Sequence, residues 1–293
     1  MTKTPEGSIL YRVKPINIAK AVIGIAISAT VLHAQWLDQK DKGIPRLKDG
    51  KPNLSAPAPR TSDGKPDFTG VWESRATEPG EARRVIRDPN QVDPAVNLDN
   101  ASKYFMNIFA DNKAADEIMR PEAAALLKTR LQAMGTTSPS SHCLPAGVPF
   151  AMLITPFKMV QTPIEVVVLP EDNNPPRQIY LDGRKLPKDP DPSWMGYSVG
   201  QWQGDTLVVD TIGLNDKTWL DALGHPHSES MHLTERYRRT DFGHMQVEIT
   251  VDDSKMYTRP FTVTVPMALI PDSDVFESVC AENELDRAHL GKD

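Results

Sequence analysis

Three of the seven histidines, His225, His227 and His232, fall within eight residues of one another, inside a strongly polar stretch spanning residues 215–239. Histidine titrates near neutrality, and a carboxylate partner fixes its tautomer and raises its basicity. His227 or His232 as general base, oriented by Asp221 or Glu229, would move a proton on a carbonyl-containing or hydroxylated substrate. Arg236 or Arg238 would then hold the developing oxyanion. Elimination, hydration, isomerisation and cyclisation are reactions of this kind. His227 is the first choice for the base, because it sits mid-run and Pro226 stiffens the chain before it. His225, beside Gly224, reads as a loop residue. Asn215, Trp202, Trp219, Tyr257 and Arg259 are candidates to line a pocket for a small hydrophobic or aromatic molecule, although buried tryptophans more commonly serve a core.

Two other readings compete with acid–base catalysis. His225 and His227 at i, i+2 share a strand face, and with His232 they would make a metal site. The cupin pattern fails, because Met231 and His232 stand where a glutamate is needed. Alternatively the stretch is a polar loop whose side chains satisfy backbone groups. Glu235 and Arg236 fall on opposite faces of a strand, and one inward charge could select a ligand with no catalysis, as in a carrier. No Gly-x-Ser-x-Gly elbow, phosphate-binding glycine loop, paired zinc knuckle or dinucleotide fingerprint occurs, so no cofactor is expected. The formal charge of −6 lacks the basic footprint of a nucleic-acid binder.

The elements that must position these residues are mostly strands. After Pro149 the chain alternates short β-branched runs with turns: 157–161, 164–169, 178–181, 197–202, 206–212, 233–240, 244–251, 256–265 and a last one near 274–280. Asp182-Gly183, Gly204-Asp205 and Asp241-Phe242-Gly243 read as hairpin turns. Residues 244–251 alternate most cleanly, with Met245, Val247, Ile249 and Val251 inward. Arg177, Arg184 and Lys185 flank a turn and read as solvated. The expected fold is mainly β, an antiparallel meander curled into a barrel or sandwich. It carries a two-helix insertion at about 97–135: one helix around Tyr104–Phe109 spacing, one opened by Pro121 with Ala124, Leu127, Leu131 and Met134 on its buried face.

Residues 1–34 read as an export signal, with Lys3, Arg12 and Lys14 before an apolar run at 21–32 and the small Ala34. Twelve apolar residues are too few to span a bilayer, so a cleaved signal and no membrane span are expected, in a periplasmic or secreted protein. Losing these residues removes four bases and one acid and leaves −9. Cys143 and Cys280, the only cysteines, can close a disulfide in an oxidising compartment; otherwise they are two buried thiols. Residues 35–69 read as a Pro-rich extended arm in which Asp49-Gly50-Lys51-Pro52 recurs as Asp63-Gly64-Lys65-Pro66. Residues 70–293 form one β-rich domain.

Pro66-Asp67-Phe68-Thr69-Gly70-Val71-Trp72, the block from Trp194 through Val209, the stretch His227–Arg238 and Tyr257-Thr258-Arg259-Pro260 resemble a group of exported, largely uncharacterised bacterial proteins. That resemblance implies no activity. Gly70-x-Trp72 is similar to the opening of lipocalin-like barrels, which implies a tryptophan closing the barrel floor.

Overall fold

Nine strands close into one barrel in this computed structural model, which describes residues 40–85, 99, 101–111 and 115–280. The export-signal segment and part of the arm's start lie outside the described residues. The strands are β1 (Gly70–Ser74), β2 (Phe157–Gln161), β3 (Glu165–Pro170), β4 (Arg177–Tyr180), β5 (Tyr197–Gln203), β6 (Thr206–Ile212), β7 (His232–Arg239), β8 (His244–Asp252) and β9 (Phe261–Leu269). Each pairs with its neighbour in chain order, and β9 returns to β1 to complete the wall. Closure leaves no free sheet edge.

The meander has one exception. β4 and β5 run parallel, joined only at Ile179↔Ser198 and Tyr180↔Val199. Asp182-Gly183 is therefore not a hairpin turn: residues 181–196 carry the chain back along the wall before β5 begins. The strand expected at 256–265 starts only at Phe261, and none forms near 274–280. Instead this segment is tied back to the rest of the fold by the Cys143–Cys280 disulfide, with Cα atoms 5.5 Å apart and 137 residues of separation. On the chain-entropy model so long a loop stabilises the fold by roughly 5 kcal/mol, less where the unfolded chain keeps structure.

Alternation decides which side chains fill the barrel. On β8, Met245, Val247, Ile249 and Val251 are buried while His244, Gln246 and Glu248 are exposed, as the period-two pattern requires. Inward residues of the wall join one apolar cluster that includes Trp72, Phe157, Leu207, Tyr237 and Val265. Trp72 is fully buried and donates its indole N–H to the Phe68 carbonyl at 2.9 Å. The Arg239 guanidinium lies 4.9 Å over the Trp72 ring, and Phe68 stacks on Trp202 at 5.7 Å. Together they pack one end of the barrel, its floor.

The arm folds against this floor. Its two Asp-Gly-Lys-Pro copies make the same turn: Gly50 N–H donates to Leu47 O, and Gly64 N–H to Thr61 O, both at 2.9 Å. Arg46 then meets Asp272, and Arg60 meets Asp205 at 2.7 Å. Gly243 donates to Leu54 O at 2.7 Å, and a Cβ at Gly243 would come within 2.5 Å of Leu54 Cβ, so only glycine fits.

The opposite end of the barrel, the crown, carries the helical insertion and the 213–231 loop. The insertion comprises α1 (Glu81–Arg84), α2 (Lys103–Met106), α3 (Ala115–Ile118) and α4 (Pro121–Gln132), followed by α5 (Ala151–Ile154). The first expected helix is a single turn capped by Ser102, whose hydroxyl accepts from Tyr104 N–H. The second is α4, opened by Pro121, but its buried residue is Ala123, and Ala124 is exposed as is Met134 beyond the helix. Leu127, Arg130 and Leu131 are half-buried on the same face as Ala123, so the expected face holds at its two leucines and shifts by one residue at Ala124.

Candidate functional site at the barrel crown

Leu220 through His225 form a tight loop that folds His225 back onto Asp221. Leu220 N–H donates to His225 O at 2.9 Å and Gly224 N–H to Asp221 O at 3.1 Å. Gly224 makes the reversal possible with a left-handed φ of 94°, and a side chain there would also strike Arg130. The fully buried Asp221 carboxylate accepts the N–H groups of Ile108 (2.7 Å), Gly224 (3.0 Å) and His225 (3.2 Å). It also holds His225 Nδ1 at 2.5 Å. A carboxylate accepts only, so Nδ1 is protonated, which in the neutral form of the ring leaves the lone pair on Nε2. Among the described residues Nε2 has no hydrogen-bond partner. The ring is only 4% exposed and meets the edge of Phe109 at 4.9 Å, with Phe261 4.3 Å beyond.

His227 is placed differently. Its Nδ1 faces the Ser228 carbonyl at 3.2 Å and its Nε2 faces the Thr218 hydroxyl at 2.6 Å. The carbonyl requires a proton on Nδ1, so Thr218 donates to Nε2 and both nitrogens are occupied. Burial holds its pKa below the ordinary histidine value, so the ring is neutral. Asp253 ties this segment down by accepting from Ser228 N–H at 2.6 Å and Ser228 O–H at 2.9 Å. Tyr257 closes the side by donating to Pro226 O at 2.7 Å, and burial raises its phenol's pKa.

The other anticipated residues scatter. His232 lies on the outer wall of β7, half-exposed, 3.0 Å from Asp210, so it shares no cavity with His227. Glu229 is exposed and orients neither histidine. Arg236 also faces outward, donating to Gln203 at 3.2 Å and standing 3.8 Å from Glu248. Trp202 belongs to the floor. Trp219 is buried beneath Arg130, Asn215 accepts from Lys217 N–H at 3.1 Å, and Arg259 is exposed while Tyr257 is buried. His225, His227 and His232 each go to a different partner, and among the described residues no three His, Cys, Asp or Glu side chains come together to hold a metal ion.

Arg177 overturns the solvated reading. It is buried inside the barrel, where its guanidinium meets Glu235 bidentately, one contact at 3.1 Å. Its remaining N–H groups reach Ser198 at 3.2 Å, Thr211 at 2.9 Å and the Met152 sulfur at 3.4 Å. Glu235 is thus the inward member of the Glu235/Arg236 pair, and Tyr237 O–H also donates to it at 2.7 Å.

Two clefts lie elsewhere. One of about 350 Å³, on the outer wall beside the parallel pair, is lined by residues including Pro176, Tyr180, Trp194 and Tyr197, with no histidine or carboxylate. Another of about 340 Å³ lies between the arm and the segment after β9, where Arg46 and Lys158 already take Asp272 and Asp274. Among the described residues no helix is long and apolar enough to cross a membrane. The molecule is a closed, mixed nine-stranded barrel with a polar, histidine-bearing crown. Comparison with family models, curated proteins and solved structures finds no match to this chain.

Proposed function

We propose that this chain is an exported enzyme that performs acid–base chemistry without a cofactor on a small, largely apolar molecule at the barrel crown. The observation that carries the reading is the Asp221–His225 pair: a buried imidazole, oriented through Nδ1, whose Nε2 has no hydrogen-bond partner among the described residues. Nε2 accepts a proton from an acidic C–H or O–H of the substrate, and Asp221 stabilises the imidazolium that results. The same proton returns at another atom in an isomerisation or to a leaving group in an elimination. Phe109 supplies aromatic surface against the ring, and Tyr257 and Phe261 pack on Phe109 in turn. The disulfide suits an oxidising compartment, which supports export.

The test is conversion in heavy water. The protein is incubated in D₂O with a mixture of aromatic and carbonyl-containing small molecules, and mass spectrometry seeks species that gain deuterium or change mass. His225→Gln should abolish every conversion seen with the native chain. Conversion that survives in His225→Gln would reject the pair as the catalytic centre. A ligand retained in native mass spectra with no conversion would favour a carrier instead.

A further inference from the structure

Arg130 sits in the last turn of α4 and reaches the same loop from above. Its Nη1 donates to the Gly224 carbonyl, immediately before His225, at 3.1 Å. Its guanidinium plane lies 5.0 Å over the Trp219 ring. Gly224 is the contact point, since a Cβ there would lie 3.0 Å from Arg130 Cβ and 3.1 Å from its Cδ. Among the described residues no carboxylate comes within 4.0 Å of this guanidinium; Asp221, Asp216 and Tyr257 act on it only at longer range.

That is unusual for this molecule's semi-buried guanidinium groups. Arg177 has its carboxylate and uses every donor. Arg239 has no carboxylate either, but three backbone carbonyls and two aromatic faces enclose it. Arg130 has one carbonyl and one ring. A guanidinium carries five N–H donors in a fixed fork suited to a carboxylate, so most of Arg130's capacity is open. Burial pulls its pKa down to about 10, the mark of a charge not offset by an adjacent anion.

We propose that Arg130 is the anion-recognition residue of the crown site, so that the substrate is a small apolar or aromatic molecule bearing a carboxylate. This rests on the Asp221–His225 reading, since the anion on Arg130 would set the rest of the molecule beside His225 Nε2. A carboxylate would take two parallel N–H bonds from the fork. A phosphate ester offers the same oxyanion chemistry and is separated from it below.

The experiment is calorimetric titration of the full chain with benzoate, benzamide and phenyl phosphate. Benzoate should bind at least tenfold more tightly than benzamide. Arg130→Gln should weaken benzoate at least tenfold, and Arg130→Lys, which keeps the charge at the helix end but loses the fork, should fall between. His225→Gln should keep benzoate affinity within threefold, because the imidazole does not hold the anion. Thermal melts of both Arg130 variants confirm folding, and Arg130→Lys decides the matter if Arg130→Gln does not fold. No benzoate binding by the native chain, or binding unaffected by either Arg130 substitution, overturns the proposal. A tenfold preference for phenyl phosphate overturns the carboxylate assignment. If His225→Gln abolishes conversion in D₂O while the Arg130 variants bind benzoate like the native chain, Arg130 falls and the catalytic pair stands.

Discussion

Among the described residues the molecule buries two side-chain pairs built around a carboxylate, Arg177–Glu235 in the barrel interior and His225–Asp221 at the crown, and they are built to opposite ends. In the first, side-chain exposure is 1% on both partners. Every N–H of Arg177 has an acceptor, Tyr237 adds a second donor to Glu235, and Ser198 and Thr211 bond each other at 2.9 Å. Burial alone would lower the Arg177 pKa, but the Glu235 charge outweighs it and the group stays ionised. Burial, aided by Glu235, pushes the Tyr237 phenol well up, so it remains a donor. Nothing in this network is left for a substrate. In the second, Asp221 is saturated while His225 is satisfied on one nitrogen only. Saturation on every valence marks a strut; saturation that stops one atom short marks a place where chemistry can enter.

The comparison is broken most severely at the strut. Glu235→Leu leaves the Arg177 charge buried without its counter-ion and should destabilise the fold by about 3–5 kcal/mol in urea denaturation. Adding Arg177→Met to that variant should restore much of the loss, because two apolar side chains need no pairing. A double variant no more stable than the single one would show that the pair does more than neutralise itself.

At the crown the same kind of substitution should separate stability from activity. Asp221→Asn presents an NH₂ to N–H groups that now meet an acceptor, so about 1–3 kcal/mol of stability should go. His225→Gln removes a single partner of Asp221 and should lose only about 0.5–1.5 kcal/mol while abolishing conversion. An active His225→Gln protein would make the crown pair a second strut.

His227 offers a pH test of the same distinction. Its folded pKa is depressed by burial, so on acidification the unfolded chain takes up this proton first. The associated stability is complete above the ordinary histidine range and is lost as pH falls below it through the folded value. Denaturation midpoints measured from pH 7.5 downward should therefore decline less steeply in His227→Gln than in the native chain. Parallel curves would mean that His227 is not held neutral.

How much of this could be read in advance depends on the range of each contact. β8 was legible because one face packs on the core and the other meets solvent, so alternation survives in the residues themselves. The parallel β4–β5 pair was not, because Asp182-Gly183 has hairpin chemistry and the return path runs through Pro187, Pro190 and Pro192 with no periodicity. Arg177 could not be placed because its partner is 58 residues away. The crown pair was half legible. Asp221 stands out from the residues alone, but Gly224 reads as a mark against His225, whereas its left-handed backbone is what turns that ring onto the carboxylate.

His232 gives the smallest expected effect and the sharpest control. It too is a histidine beside an aspartate, 3.0 Å from Asp210, so pairing alone does not separate it from His225. The difference is enclosure: the His232 and Asp210 side chains are 43% and 40% exposed on the outer wall, where water screens the pair. Asp210 also keeps the Thr234 hydroxyl at 2.8 Å, so losing the imidazole does not leave it bare. His232→Gln should shift stability by no more than about 0.5 kcal/mol and leave conversion rates unchanged. If conversion falls tenfold in His232→Gln while His225→Gln retains it, the reaction belongs on the outer wall, and burial is the wrong criterion for choosing between the two pairs.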